Sequence, residues 1–151
     1  MERTNLSYYT VPAAWVVSLI PHFYAIARYD RVSKAGKFDR VNPRLFVASV
    51  EDNKTIEASL KRKIIRAEGA QLNGFENLGF FAGAVVAANT TGVDVWWLNV
   101  LSMAYVFNRA LYNIVYINGV AGPVRGLPYY AAVACAITLY IKAGNVANRQ
   151  G

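Results

Sequence analysis

Charged residues are unevenly distributed along this chain of 151 residues, and their distribution limits what the chain can fold into. The 65 residues from Asn77 to Ile141 contain only three charges, Asp94, Arg109 and Arg125, and residues 4–27 contain none. A soluble domain of this size carries charged residues on every surface element. We therefore expect an all-α, polytopic membrane protein whose apolar stretches form a transmembrane four-helix bundle.

Four stretches are long enough to cross a bilayer, which takes about 20 residues of α-helix. Within a single domain covering residues 1–151, they are residues 8–28, 64–89, 95–118 and 124–142. The loop 29–63 lies between the first two. The segment from Arg28 to Arg66 contains 11 Lys and Arg against 5 Asp and Glu. Because basic residues concentrate in cytosolic loops, we expect this loop in the cytosol and both termini on the luminal side, with the endoplasmic reticulum as the membrane.

The net charge of +7 comes mostly from this one loop, and no nucleic-acid motif accompanies it. Nucleic acid is therefore not an expected partner, whereas membrane lipid is. Cys135 is the only cysteine and His22 the only histidine, so a metal site would lack ligands. We expect no metal.

The second apolar stretch carries a polar stripe. Its members follow the spacing of one helix face and are Arg66, Gly69, Asn73, Glu76 and Phe80. The same face continues as the small residues Gly83, Ala84 and Ala87. Such a stripe faces protein or a cavity rather than lipid, and we expect its small residues to make contacts between subunits.

The third stretch repeats this pattern. Polar residues recur there at intervals of three and four, at Ser102, Tyr105, Arg109, Tyr112 and Tyr116. Arg109 is the natural ion-pair partner of Glu76, since each is costly alone at membrane depth. Arg125 opens the fourth stretch, and the alternating helix directions place all these polar residues in the cytosolic half of the bundle.

Two interpretations of this polar layer remain from the pattern alone. It could be structural, with arginines reaching the interface from helix ends and Asn73 joining helices. It could also be a site for an anionic, hydrogen-bonding ligand, because guanidinium groups, an amide and phenols suit carboxylates.

The residues 70–77, A-Q-L-N-G-F-E-N, resemble the A-H-x-N-x-x-E-N signature of the membrane-associated proteins in eicosanoid and glutathione metabolism, the MAPEG family. The residues 109–116, R-A-L-Y-N-I-V-Y, are similar to that family's R-x-x-[HY]-x-x-x-Y motif, and Arg125 lies where its catalytic arginine is expected. The resemblance covers residues 63–142.

The resemblance implies a homotrimer that binds glutathione as co-substrate between adjacent subunits, near the cytosolic side. A lipophilic second substrate would enter from the bilayer. Arg125 would be catalytic and hold the glutathione sulfur as a thiolate. Glutathione-binding residues implied in the same way are Arg66, Asn73, Glu76, Arg109, Tyr112 and Tyr116, with Arg109 supporting the charged core.

This chain departs from the family pattern at a few positions. Gly69 stands where the family often has arginine, a role that Arg66 could take over one turn earlier. The expected function is an integral membrane glutathione S-transferase or glutathione-dependent peroxidase acting on lipophilic electrophiles or lipid hydroperoxides. The alternative is a non-catalytic lipid-binding or scaffold protein of the same fold. A channel or transporter is disfavoured, because nothing indicates inverted repeats or discontinuous helices.

Overall fold

Four long helices dominate the structure, a computed structural model that describes residues 3–150. Residues 1, 2 and 151 of the expected domain lie outside this described part. The helices are α1 (Ser7–Val32), α2 (Phe46–Asp52), α3 (Ala58–Thr90), α4 (Val95–Ile117) and α5 (Pro123–Gln150), and a 3₁₀ turn at Pro43–Leu45 precedes α2. The described residues contain no strand, and the all-α class expected from the sequence is confirmed.

Two of the described helices are long and apolar enough to cross a membrane, at Ser7–Val32 and Pro123–Arg149. Their most apolar stretches are only 28 % and 22 % buried inside the chain, unlike the core helices of a soluble domain. The helices α3 and α4, with 33 and 23 residues, are also long enough to span. Neither contains an 18-residue stretch of equally high mean hydropathy, because polar stripe residues interrupt both helices.

The residue types at 51–53, Glu-Asp-Asn, favour a helix start near Lys54, but α3 begins at Ala58 and Glu57 precedes it. The Asn53 side chain instead donates to Ser33 Oγ (2.9 Å) and accepts from the backbone N–H of Thr55 (2.9 Å), which ties the loop to the end of α1. Helix α5 continues through the polar segment after residue 143 and ends at Gln150.

The loop before α2 is ordered by a turn and by aromatic packing. The Asn42 side chain and the backbone N–H groups of Val41 and Asn42 donate to the carboxylate of Asp39, and these bonds lower its pKa below the usual value. The Phe46 ring packs edge-on against Tyr29, with ring centroids 5.2 Å apart, and against Phe38 at 5.0 Å. The loop therefore folds onto the end of the bundle.

Two apolar cores lie at opposite ends of the bundle. The larger packs α3, α4 and α5 around the stacked rings of Phe81 and Tyr105, whose centroids are 3.7 Å apart. The smaller packs the ends of α1 and α3 against α2 and includes Ala25 and Ile64. The central stripe residues fall between these two cores along their helices and so form one layer across the bundle; they are Gly69, Asn73 and Glu76 of α3 and Arg109, Tyr112 and Tyr116 of α4.

The small-residue stripe of α3 packs inside the chain, contrary to the expectation that it faces a second subunit. Ala84 is fully buried in the larger core. A side chain at Gly83 would collide with the hydroxyl of Tyr140, which donates to the backbone carbonyl of Phe80 (3.2 Å). Helix α5 of the same chain therefore covers this stripe.

Helices α1 and α3 approach each other closely where they cross at Gly74. A Cβ atom on Gly74 would lie 2.6 Å from both Cβ and Oγ of Ser18 and 3.0 Å from its Cα. One helical turn beyond this crossing, Pro21 lacks the N–H that would bond the carbonyl of Val17. The Asn113 amide of α4 donates to that carbonyl instead (2.8 Å), which joins α4 to the proline turn of α1.

We expect Gly74→Ala to lower the free energy of unfolding by about 1–3 kcal/mol, because the added methyl group would lie 2.6 Å from the side-chain atoms of Ser18 on α1. Combining it with Ser18→Gly should restore much of the loss. Gly144→Ala on α5, where a methyl group meets no atom within 4 Å, is the control and should not destabilise. The free energy of unfolding of the wild type and the three variants is measured by denaturant unfolding in detergent. Equal effects of the Gly74 and Gly144 substitutions would contradict the close crossing.

Candidate functional site

Arg66 connects α3 to the end of α4. Its Nε–H donates to the carbonyl of Ile117 in the last turn of α4 (3.0 Å), where a cation also interacts favourably with the helix dipole. A Cβ atom on Gly119 would lie 2.9 Å from the guanidinium carbon of Arg66, and Gly119 has a φ of +72°. The guanidinium group of Arg66 therefore lies against the turn between α4 and α5. Position 119 in this turn requires glycine, because a side chain there would collide with the guanidinium group and because the backbone has a positive φ.

Tyr116 brings together residues from three helices. A Cβ atom on Gly69 of α3 would lie only 3.3 Å from its hydroxyl oxygen. Its ring packs against Tyr112 of α4, with centroids 5.2 Å apart. The guanidinium carbon of Arg125 of α5 lies 5.3 Å from the centroid of the same ring. The three motif-bearing segments therefore meet at one aromatic side chain.

Arg109 lies behind this group and is only 2 % exposed. Its guanidinium group contacts the faces of two rings, Tyr112 at 5.0 Å and Tyr129 at 5.7 Å. Both terminal nitrogens, Nη1 and Nη2, are buried and have no hydrogen-bond partner in the described part of the chain. Tyr112 is itself only 5 % exposed. Arg109 is therefore separated from the surface of the chain, and the groups that it contacts directly are the rings of Tyr112 and Tyr129.

The expected ion pair between Glu76 and Arg109 does not form within the chain. Glu76 is exposed, while Arg109 is buried against tyrosine rings. Among the described residues the ion pair found joins His22 to Glu68. Asn73 is half-buried, and its amide donates to the carbonyl of Gly69 (3.1 Å), one turn earlier on the same face. Helix α3 thus presents an accessible amide and an unpaired carboxylate one turn apart.

The His22–Glu68 pair was missed by the sequence analysis. Nδ1 of His22 on α1 lies 2.9 Å and 3.1 Å from the two carboxylate oxygens of Glu68 on α3. The pair borders a cavity of about 370 Å³ that Arg44 and Gln71 also line. The sequence does indicate that His22 and Glu68 need partners, because both are ionisable residues inside apolar segments. Their pairing could not be deduced, since neither residue belongs to the repeating stripes.

Tyr129 was missed as well. Its ring lies 5.7 Å from that of Tyr112, and its other neighbour is the Arg109 guanidinium group. The sequence does contain a feature that points to Tyr129. It lies four residues after Arg125, and residues four apart on a helix lie on the same face.

We expect His22 and Glu68 to be coupled in a double-mutant cycle of His22→Ala and Glu68→Gln, measured as unfolding free energies in detergent. Residues in direct contact typically show a coupling of about 0.5–3 kcal/mol. The matched cycle of Glu76→Gln and Arg109→Met should be additive within about 0.5 kcal/mol, because these side chains do not meet within one chain. Additivity in the first cycle would contradict the ion pair, and strong coupling in the second would require that Glu76 reach Arg109 from another subunit.

Comparison with known proteins identifies the family of the chain. No curated protein and no solved structure gives a significant match to the chain. The model of the MAPEG family matches residues 8–145, a range that includes α3, α4, most of α1 and α5, and every residue of the layer described above. The match covers nearly the whole chain, and the chain is therefore a member of the MAPEG family of membrane proteins.

Proposed function

We propose that this protein is an integral membrane glutathione S-transferase, with glutathione-dependent peroxidase activity, that acts through a thiolate held by Arg125. Membership of a family that includes glutathione transferases and other enzymes of glutathione and eicosanoid metabolism supports the general class. The specific reaction is inferred from the side chains that meet around Tyr116.

The observation that carries the proposal is the contact of Tyr116 with both Gly69 and Arg125. It links the accessible amide and carboxylate of α3 to an exposed guanidinium group of α5. A purely structural role for Arg125 as a helix-end cation would not need an aromatic partner from α4. The cation is instead oriented next to groups that suit a peptide ligand.

The available groups fit glutathione by their chemistry. Glutathione carries one ammonium group, two carboxylates, two amides and a thiol. In our proposal, Glu76 accepts from the ammonium group and Asn73 bonds an amide, while the terminal nitrogens of Arg66 face a carboxylate. Tyr116 and Tyr112 line the same pocket, and Arg109 holds Tyr112 from behind.

Arg125 supplies the electrostatic step. A free thiol with a pKa of about 8.5 is mostly protonated at neutral pH, and only the thiolate is strongly nucleophilic. A guanidinium group within hydrogen-bond reach favours the anion. Lowering the thiol pKa by about two units corresponds to roughly 2.7 kcal/mol of preferential stabilisation. The thiolate then displaces a leaving group from an electrophilic carbon. With a hydroperoxide it attacks the terminal oxygen and releases an alcohol, and a second glutathione reduces the resulting sulfenic acid to disulfide and water.

We further propose a homotrimer in which glutathione binds between subunits. Glu76 lies unpaired on the exposed surface of α3, close to Leu72 (59 % exposed) and Phe80 (43 % exposed). A carboxylate cannot face lipid without a large cost, so a second subunit or a bound ligand has to cover it. The small-residue stripe no longer supports this assembly, since α5 covers it within the chain.

All four long helices cross the membrane in this proposal, with the loop 29–63 in the cytosol and both termini in the lumen of the endoplasmic reticulum. The basic residues of the loop favour this orientation. The site then lies in the cytosolic half, where glutathione is abundant.

We expect Arg125→Ala to reduce turnover with an aryl halide or a lipid hydroperoxide by about a hundredfold, the typical cost of losing one preorganised charge donor. The ultraviolet band that the glutathione thiolate gains on binding should disappear. Glutathione affinity and oligomer mass should change far less, because the carboxylate contacts lie elsewhere. Arg125→Lys should restore only part of the rate, since a flexible point charge replaces a planar fork.

Lys142→Ala is the matched control. Lys142 is also a cation of α5 over an aromatic ring, with Nζ 3.5 Å from the centroid of Trp97, but it lies at the opposite end of the bundle. Its removal should leave turnover unchanged. Wild-type turnover in Arg125→Ala would remove Arg125 from the mechanism. A wild-type protein that binds no glutathione at millimolar concentration would favour the non-catalytic lipid-binding alternative.

The orientation can be tested by cysteine labelling in sealed microsomes. In a Cys135→Ser background, a cysteine introduced at Ser33 should react with a membrane-impermeant maleimide added outside. A cysteine at Ala147, exposed near the end of α5, should react only after the membrane is permeabilised. Labelling of both from the outside would refute the proposed topology.

A further inference from the structure

A groove of about 420 Å³ runs between α1 and α4. Its lining is mostly apolar, and the residues concerned are Val17, Ile20, Pro21, Tyr24, Ala110, Asn113, Ile114, Ile117 and Asn118. The proposed glutathione chemistry uses none of them. The groove lies along segments expected to span the membrane, and its walls at Ile20 and Ile114 are 55 % and 60 % exposed. It is therefore open toward the side where lipid would be.

The floor of the groove presents no free backbone carbonyl at the proline turn. Pro21 frees the carbonyl of Val17, and the Asn113 amide bonds it (2.8 Å). An unsatisfied carbonyl there would attract water and disfavour a hydrocarbon occupant. Since the carbonyl is satisfied, this part of the groove suits an acyl chain.

One end of the groove is cationic. Arg28 lies one helical turn beyond Tyr24, and its guanidinium carbon is 5.8 Å from the centroid of that groove-lining ring. Among the described residues Arg28 makes no ion pair. The nearby acidic residue Asp30 is engaged elsewhere, since its carboxylate accepts from the backbone N–H of Phe38 (2.7 Å).

We propose that this groove binds an anionic phospholipid of the surrounding bilayer, with one acyl chain between α1 and α4 and the phosphate group at Arg28. An acyl chain that leaves the bilayer for the groove moves between two apolar environments, so its burial contributes little selectivity. The charge of the headgroup decides which lipid is held. A bilayer phospholipid fits better than a soluble anion, because the cationic end and the lipid-facing walls belong to one continuous surface.

The proposal can be tested by native mass spectrometry of the delipidated full-length protein with phosphatidylglycerol and phosphatidylcholine of identical acyl chains. We expect phosphatidylglycerol to bind more tightly to the wild type. Arg28→Ala should weaken phosphatidylglycerol binding about fivefold, the effect of losing one arginine near an anionic headgroup, and leave phosphatidylcholine binding unchanged. Ala110→Trp, which fills the groove, should weaken the binding of both lipids. The thermal midpoint of each variant without lipid checks that it is folded.

Arg31→Ala is the matched control. Arg31 is an exposed basic residue less than one turn beyond Arg28 on the same helix, and of these two described residues only Arg28 lies over the groove-lining ring of Tyr24. Its removal should leave lipid preference unchanged. The proposal is overturned if both lipids bind the wild type equally, or if the Arg28 and Arg31 substitutions have the same effect. It is also overturned if oleate displaces phosphatidylglycerol at equal concentration, which would identify a free fatty acid as the occupant.

Discussion

Polar groups inside an apolar helix bundle have to be satisfied by the protein itself, because no water is available at that depth. This constraint explains the layer between the two cores. The Asn113 amide bonds the carbonyl that Pro21 leaves free, Arg66 bonds the last turn of α4, and His22 pairs with Glu68. Each of these contacts joins two different helices. The polar layer therefore fixes the relative positions of the helices as well as carrying the candidate site.

Helix α3 is in contact with each of the other three long helices, and neighbouring residues on it face different ones. Glu68 points toward α1 and pairs with His22, whereas Gly69 faces Tyr116 of α4. The absence of a side chain at Gly74 lets α1 approach within contact of the α3 backbone. The small residues of α3 therefore allow close packing between helices of the same chain. The same residue types would equally suit a contact between subunits, and only the position of α5 distinguishes the two cases.

The charged groups that one chain leaves unsatisfied indicate where ligands and partners belong. Glu76 and Arg125 are exposed on α3 and α5, and they flank the contact around Tyr116. Arg28, at the end of an apolar groove on another side of the bundle, has no acidic partner among the described residues. Arg109 is different, because its charge is buried and lies against the faces of two aromatic rings. Accessible unpaired charges suit ligand binding, while Arg109 maintains the arrangement of the tyrosines.

The sequence by itself determined the all-α class, the approximate positions of the four long helices and the stripe spacing, because helix periodicity and the distribution of charge are local properties. It also determined that the stripes of α3 and α4 meet near the start of α5, since helix direction alternates in an antiparallel bundle. Only the tertiary structure decided the side-chain partners. Glu68 pairs with His22, Arg109 contacts tyrosine rings instead of Glu76, and Gly83 packs against Tyr140. Spacing gives the face on which a residue lies, but the rotation of each helix about its own axis decides which neighbour that face meets, and this rotation is set by close packing over the whole bundle.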